Sequence, residues 1–501
     1  MASYEKTKDF YLLDHSRTLF PLGTTQFLVE NFASELGDFV YGKITHEKES
    51  DFSFLPQAKA YASKPGFHLR RTAKLDPVAE FFIYDLAYRN RSSFRKSGKQ
   101  SRTNYGYRFE SGRPISPANS YRAFKQGVHE ALKKYKYCAK FDISTYFNSI
   151  YHHDLVMWFN NVASSEEDAQ FFDKFLKQTN TGRSVDCLPH GIYPTKMIGS
   201  HFLSFIDYAA RLDSEVMLRF MDDFYLYSDD LDRLVSDFIE VQHLLGEKGL
   251  FLNPQKTVLG EIDHIDIERE VDEIKLALLM RRGRAISASG TDEGDWEDEI
   301  EEEGEDEDIL NEDETEYLYS MLRDDQVEEE DAELILALMR DHGNDVLEYI
   351  PTFLERFPNL SKNIYHFCAH VDDKEELGNV VLDYLSENKQ VTEYQLFWFS
   401  CLLETELFET SSADALIPLL YEHQNSTDIS KSRILEIPDK RYGLDDMREE
   451  QLRTGASVWP AWSSAAGSRV EKKSNRNHLL GYFANGSPMN DLISNCVKQY
   501  E

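Results

Sequence analysis

Arg219-Phe220-Met221-Asp222-Asp223-Phe224-Tyr225-Leu226-Tyr227-Ser228 sets two adjacent aspartates between apolar and aromatic runs. Val216–Phe220 and Phe224–Tyr227 are short and β-prone, so the stretch predicts a hairpin with the acids at its tip. Two neighbouring carboxylates repel, and a nearby positive charge should offset that. Mg²⁺ suits the place, because it takes one or two carboxylates and completes its shell with substrate phosphates; Mn²⁺ is the alternative ion. An acidic tip standing in water is the plain alternative, since a lone Asp-Asp pair is common.

A second stretch bears on the choice. Lys140-Phe141-Asp142-Ile143-Ser144-Thr145-Tyr146-Phe147-Asn148-Ser149-Ile150 begins as a strand, Tyr137–Asp142, and turns into a helix. Asp142 therefore falls at the carboxyl end of a strand. Two-metal phosphoryl transfer needs carboxylates from separate elements, holding ions about 4 Å apart. Asp142 and Asp222 on neighbouring strands meet that need, with Asp223 as a third ligand or electrostatic helper.

These segments resemble the palm of reverse transcriptases. Phe141–Ile150 with His152-His153-Asp154-Leu155 resembles motif A, and Phe220-Met221-Asp222-Asp223 resembles motif C, with Phe220 where Tyr is common. Leu188-Pro189-His190-Gly191-Ile192-Tyr193-Pro194-Thr195 resembles motif B, with His190 in place of Gln and Thr195 in place of Ser. Lys248–Thr257 resembles motif D. Together, in this order, they are far more specific than any one alone. The resemblance implies an α+β right-hand polymerase, and a nucleotidyltransferase that uses deoxynucleoside triphosphates with Mg²⁺ or Mn²⁺. It makes Asp142, Asp222 and Asp223 the metal ligands, and Lys256 a catalytic residue near the pyrophosphate leaving group. Substrate contacts fall on Arg70, Arg71, Lys74, Phe147, Gly191 and Met221. Arg70, Arg71 and Lys74 lie in the fingers stretch Phe67–Pro77 and would grip the triphosphate, for which a guanidinium fork is well shaped. Phe147, five residues after Asp142, would pack under the sugar and exclude a 2′-hydroxyl. For each of these a structural role is the alternative: a basic surface strand, a core aromatic, a surface lysine.

The chain has 501 residues, 41% of them hydrophobic and 13% aromatic, enough for more than one core. No apolar run is long enough to span a bilayer, and Met1–Phe10 is polar and charged. Five scattered cysteines without metal spacing suit a reducing cytoplasm and argue against a disulfide framework. A net charge of −34 argues naively against nucleic-acid binding. Its distribution matters more. Arg89–Lys140 is rich in Lys and Arg, interleaved with Tyr105, Tyr107, Phe109 and Tyr121, as in a channel with stacking surfaces; a solvated basic face is the bland alternative.

Four regions are predicted. Residues 1–135 hold an N-terminal part and fingers, with helices over Thr25–Leu36, Val78–Tyr88 and Ser120–Tyr135, and a mobile basic loop over 91–120. Residues 136–275 form the palm, with helices over Asp154–Phe159, Glu166–Lys177, the start of Met197–Arg219, and Asp229–Glu247. Residues 285–316, rich in Asp and Glu, read as a flexible linker. Residues 317–501 read as an all-α, HEAT-like helical repeat with helices spaced by roughly 20 residues. Within it Leu396–Leu403 is apolar nearly all round, so that helix should be buried in the array or at a subunit contact.

The palm motifs would also fit a retron or group II intron enzyme that copies an RNA template. The absence of recognisable maturase, endonuclease or RNase H modules, and the helical C-terminal half, resemble instead the abortive-infection reverse transcriptases that defend bacteria against phage, especially the prophage-borne members. That resemblance implies a homo-oligomer that makes DNA without a template, primed from a protein side chain and left covalently attached. A binding protein with a vestigial palm is the reading from a different class.

Overall fold

The sheet at the centre of the computed structural model owes its register to side-chain alternation. The structure describes residues 4–45, 52–96, 101–262, 278, 310, 312–323 and 327–500. Strand β6 (Tyr137–Asp142) buries Cys138, Ala139 and Phe141, and it is flanked on both sides by antiparallel partners. With β3 (Arg102–Asn104), β7 (Val216–Phe220), β8 (Asp223–Ser228) and β9 (Val258–Glu261), it forms a five-stranded sheet of order β3-β7-β8-β6-β9. Tyr137 pairs with Ser228 and Asp142 with Asp223 at the two ends of the β6–β8 ladder. A one-residue slip would turn Phe141 and Phe224, whose rings stack at 5.2 Å, to the opposite face.

Two helices cover the sheet. Helix α4 (Pro117–Lys134) starts with Pro117 behind a Ser116 cap and lays Phe124, Val128 and Ala131 against β7 and β8. The helix Leu231–Gly246, capped by Asp230, packs Leu234, Val241 and Leu245 behind β6 and β8. Ahead of the sheet lie α1 (Glu5–His15), α2 (Gly23–Phe39), the hairpin of β1 (Ala58–Ser63) and β2 (Leu69–Lys74), and α3 (Pro77–Arg89). Helices α5 (Tyr146–Ser149), α6 (His152–Val162), α7 (Glu166–Thr179) and α8 (Tyr193–Phe202) connect β6 to β7.

The expectation of a loop over 91–120 needs correction. Residues 97–100 lie outside the described residues, but β3 pairs in parallel with β7, and β4 (Phe109–Glu110) pairs with β5 (Arg113–Pro114). Arg102 there is buried and donates to the Leu212 and Ser214 carbonyls, while Arg108 is buried and paired with Glu110. Both guanidiniums serve the fold rather than an open nucleic-acid surface. Most of the acidic stretch 285–316, and residues 263–275 of the palm region, lie outside the described residues; its end is helical, within Glu312–Leu322.

From Glu329 onward the chain is helical. Each longer helix packs on the one two along: Ser361–Cys368 on Glu393–Leu402, that on Asp428–Leu435, and that on Val458–Gly467. All ten residues of Glu393–Leu402 are buried, and their covering comes from this same chain. Phe397, Trp398 and Cys401 join Phe20, Leu22, Ala60 and Ala62 in one cluster, so this helix docks on β1 of the fingers. The last helices turn back further. Trp462, Leu480 and Val497 share a core with Phe27 and Leu28 of α2. Glu436 secures this return by accepting from the Gly23 and Thr24 amides at 2.7 and 2.8 Å, at the start of α2.

Candidate active site

β7 and β8 are joined by a two-residue turn, Met221-Asp222, with Phe220 opposite Asp223. Met221 takes a left-handed φ of 56°, which lifts Asp222 out of the ladder. Arg219 holds this turn from beneath. Its fully buried guanidinium grips both oxygens of Asp207, at 2.7 and 2.5 Å, and donates to the Met221 carbonyl at 3.1 Å. Gly106 packs close below: a Cβ there would lie 2.4 Å from Ser200 Oγ and 3.3 Å from the Met221 nitrogen.

Asp142 faces Asp223 across β6 and β8, and residues opposite one another in such a ladder have Cα atoms about 5 Å apart. Asp142, Asp222 and Asp223 line one cleft of about 570 Å³. The two Asp142 oxygens differ. Oδ1 is sealed from solvent with no hydrogen-bond partner, while Oδ2 accepts an ion pair from the Lys256 ammonium at 3.1 Å. Among the described residues, no three His, Cys, Asp or Glu side chains converge as a metal cage. An orphaned buried carboxylate oxygen, and a sister oxygen already holding a cation, nonetheless fit a hard divalent ion that draws its other ligands from substrate phosphates.

The other walls are basic and aromatic. Arg70 and Arg71 of β2 line the cleft with Lys64 and Lys196. Arg71 also pairs with Asp186, which accepts from Asn148. Lys74 lies elsewhere. It is buried, and its ammonium sits 2.8 Å from Glu80, so the structure contradicts a triphosphate contact there. Thr72 and Lys74 share a face of β2 that is buried toward the end of the strand, whereas Arg70 on the same face is only half-buried and reaches the cleft. Phe147 lines the cleft and packs on the His190 ring at 4.5 Å. Gly199 makes room for it, because a Cβ would lie 3.1 Å from Phe147 Cε1. His190 replaces the usual Gln of motif B with a neutral ring: burial, then Arg70, Lys196 and Lys64, push its pKa well below the ordinary range. Met221 lines the cleft; Gly191 does not, and with φ 118° it backs onto Leu19, which does.

Sequence reasoning passed over two parts of this site. Arg219 carried a signal, since an arginine inside an apolar strand implies a buried acid partner. The fourth wall carried none. Asn359, Lys362, Asn363 and Tyr394, from helices more than 130 residues beyond Asp222, complete the cleft.

Residues 100–303 match the family "Reverse transcriptase (RNA-dependent DNA polymerase)", so this part of the chain is a reverse-transcriptase domain and implies nucleotidyl transfer. No curated protein matches in sequence. Among solved structures, apo telomerase from Candida tropicalis aligns at 11% identity with a TM-score of 0.33, over 78% of this chain and 73% of that one. Telomerase from Candida albicans, in complex with a fragment of telomeric RNA, aligns at 11% identity with a TM-score of 0.31, over 79% of this chain and 68% of that one. Similarity at that level says nothing about activity.

Proposed function

We propose that this protein is a DNA polymerase of reverse-transcriptase type acting in anti-phage abortive infection, making DNA without a template and from a hydroxyl of its own chain. The observation that carries the polymerase reading is the meeting of Asp142, Asp222 and Asp223 in one cleft with Arg70, Arg71 and Phe147.

Asp142 and Asp222 would hold the divalent ions, with Asp223 assisting. Held by these carboxylates, Mg²⁺ or Mn²⁺ would supply Lewis-acid polarisation of a phosphoryl group and lower the pKa of the attacking hydroxyl. Arg70 and Arg71 bind the β- and γ-phosphates of the incoming deoxynucleotide. Phe147 lies under its sugar, and the Met221–Asp222 turn positions its α-phosphate. Lys256, now paired with Asp142, shifts to the departing pyrophosphate and gives it a proton.

Template independence is supported by the fourth wall. The C-terminal helices stand on the fingers and line the cleft, whose volume is on the scale of a small-molecule site rather than a duplex channel. We read these helices as a HEAT-like repeat domain because each packs on the helix two along, and the enzyme as a homo-oligomer. A linker over 285–316 would join them to the palm. Five unpaired cysteines, all buried, accord with a reducing cytoplasm.

The purified protein should be incubated with labelled deoxynucleotides and Mg²⁺, without template or primer. Label that stays on the protein after denaturation and nuclease treatment supports protein priming. Label that appears only after RNA is added supports a templated enzyme. Asp222→Asn should abolish incorporation with unchanged thermal unfolding, and full incorporation by that variant would end the polymerase reading.

A further inference from the structure

Three walls of the cleft have evident partners in a nucleoside triphosphate: carboxylates for metal-bound phosphate, cations for the outer phosphates, and Phe147 for the sugar. The moiety left over is the base. The wall left over is polar, with a single cation, Lys362, whose ammonium donates to the Arg17 carbonyl at 3.1 Å. Asn359 and Asn363, four residues apart across the start of helix Ser361–Cys368, both line the cleft. This spacing puts them on one side. Tyr394 stands beside them on the same cleft.

The amides are incompletely used. Asn363 is 91% buried, being 9% exposed, and makes no hydrogen bond among the described residues. Asn359 donates through Nδ2 to Glu329 at 2.7 Å, but its Oδ1 is sealed from solvent with no partner. Folding has thus desolvated one amide oxygen, Asn359 Oδ1, that nothing among the described residues satisfies, and it stands with Asn363 at the cleft of a nucleotide enzyme. An amide presents a donor beside an acceptor, which is the arrangement that reads a base edge.

We propose that Asn359 and Asn363 read the base of the incoming deoxynucleotide, so that the C-terminal helices act as a built-in template of amino acids. This rests on the polymerase reading above and adds the determinant of which nucleotide is chosen. Asn363 makes the discriminating contact, because both its donor and its acceptor are available. Asn359, tethered to Glu329, offers an acceptor only. The enzyme should therefore prefer a base whose edge carries a donor next to an acceptor over one that cannot complete the pair, by about tenfold.

The test is equilibrium binding of the four deoxynucleoside triphosphates, as non-hydrolysable analogues with Mg²⁺, to the full chain and to Asn363→Ala and Asn363→Asp. Triphosphate attached to deoxyribose without a base serves as reference. Since the Asn363 side chain bonds to nothing among the described residues, both variants should fold, and their thermal unfolding checks this. A base preference of about tenfold in the wild type, flattened by Asn363→Ala and redirected by Asn363→Asp toward bases with donor edges, supports the proposal. Equal affinity for all four bases, or a preference unchanged in both variants, overturns it while leaving the polymerase reading intact. Failure to bind even the baseless triphosphate with Mg²⁺ overturns both.

Discussion

Replacing Arg219 with Met removes the cation that neutralises Asp207, whose side chain is only 3% exposed. Leaving one partner of a buried ion pair alone costs about 3–5 kcal/mol. The lost bond to the Met221 carbonyl adds about 1 kcal/mol. Urea unfolding should therefore show Arg219→Met destabilised by about 4–6 kcal/mol. The double variant Arg219→Met with Asp207→Leu has no buried charge left and should recover most of that loss. Activity should follow another course. With no guanidinium on the Met221 carbonyl, the turn carrying Asp222 is free to shift, and a displacement of about 1 Å at reacting groups costs about 100-fold in rate. The double variant should thus regain stability while its deoxynucleotide incorporation stays about 100-fold below wild type. Incorporation at the wild-type rate by the double variant, or less than about 1 kcal/mol lost in the single one, would refute the account of Arg219 as the support of the turn.

Phe147→Val should admit ribonucleotides, narrowing the preference for deoxynucleotides by at least about tenfold in competitive incorporation, since a tenfold change needs only about 1.4 kcal/mol of lost clash. Lys256→Ala removes the cation on Asp142 Oδ2, so Mn²⁺ should bind the substrate-free protein several-fold more tightly by paramagnetic relaxation, while incorporation slows. Burial and the neighbouring Arg219 push the His201 imidazole down to about 3, from about 6.5 in the unfolded chain. Above pH 6.5 the ring is neutral in both states. As pH falls below 6.5 the unfolded chain takes the proton first, so this ring alone should withdraw about 2 kcal/mol of stability by pH 5. Chemical denaturation between pH 7 and 5 should show a shallower decline in His201→Gln.

The palm was legible because its information is local. Alternating β-prone runs around Met221-Asp222 predict the hairpin, and Asp142 at a strand end predicts the facing acid. Loop 91–120 misled because Arg102 and Arg108 look like surface charges; the burial of Arg102 depends on the Leu212 and Ser214 carbonyls, contributed more than 100 residues later. Lys74 misled for a related reason, since Glu80 sits on the next element. The apolar circumference of Glu393–Leu402 announced burial without saying against what. The answer, a strand of the fingers, requires contacts over more than 300 residues that no periodicity records. The amide wall was illegible on the same ground: asparagines in a helical turn look solvated until the fold closes over them.

Because Val497 and Leu480 lie in the same core as Leu28, the two ends of the polypeptide are stitched to each other. A fragment stopping after Ile262 would not be a trimmed polymerase. It would bare Phe20, Phe27, Leu28 and Ala60 to water, an oily scar that invites aggregation. Synthesis from the amino end therefore leaves Phe27 and Leu28 of α2 waiting, uncovered, until Leu480 and Val497 emerge.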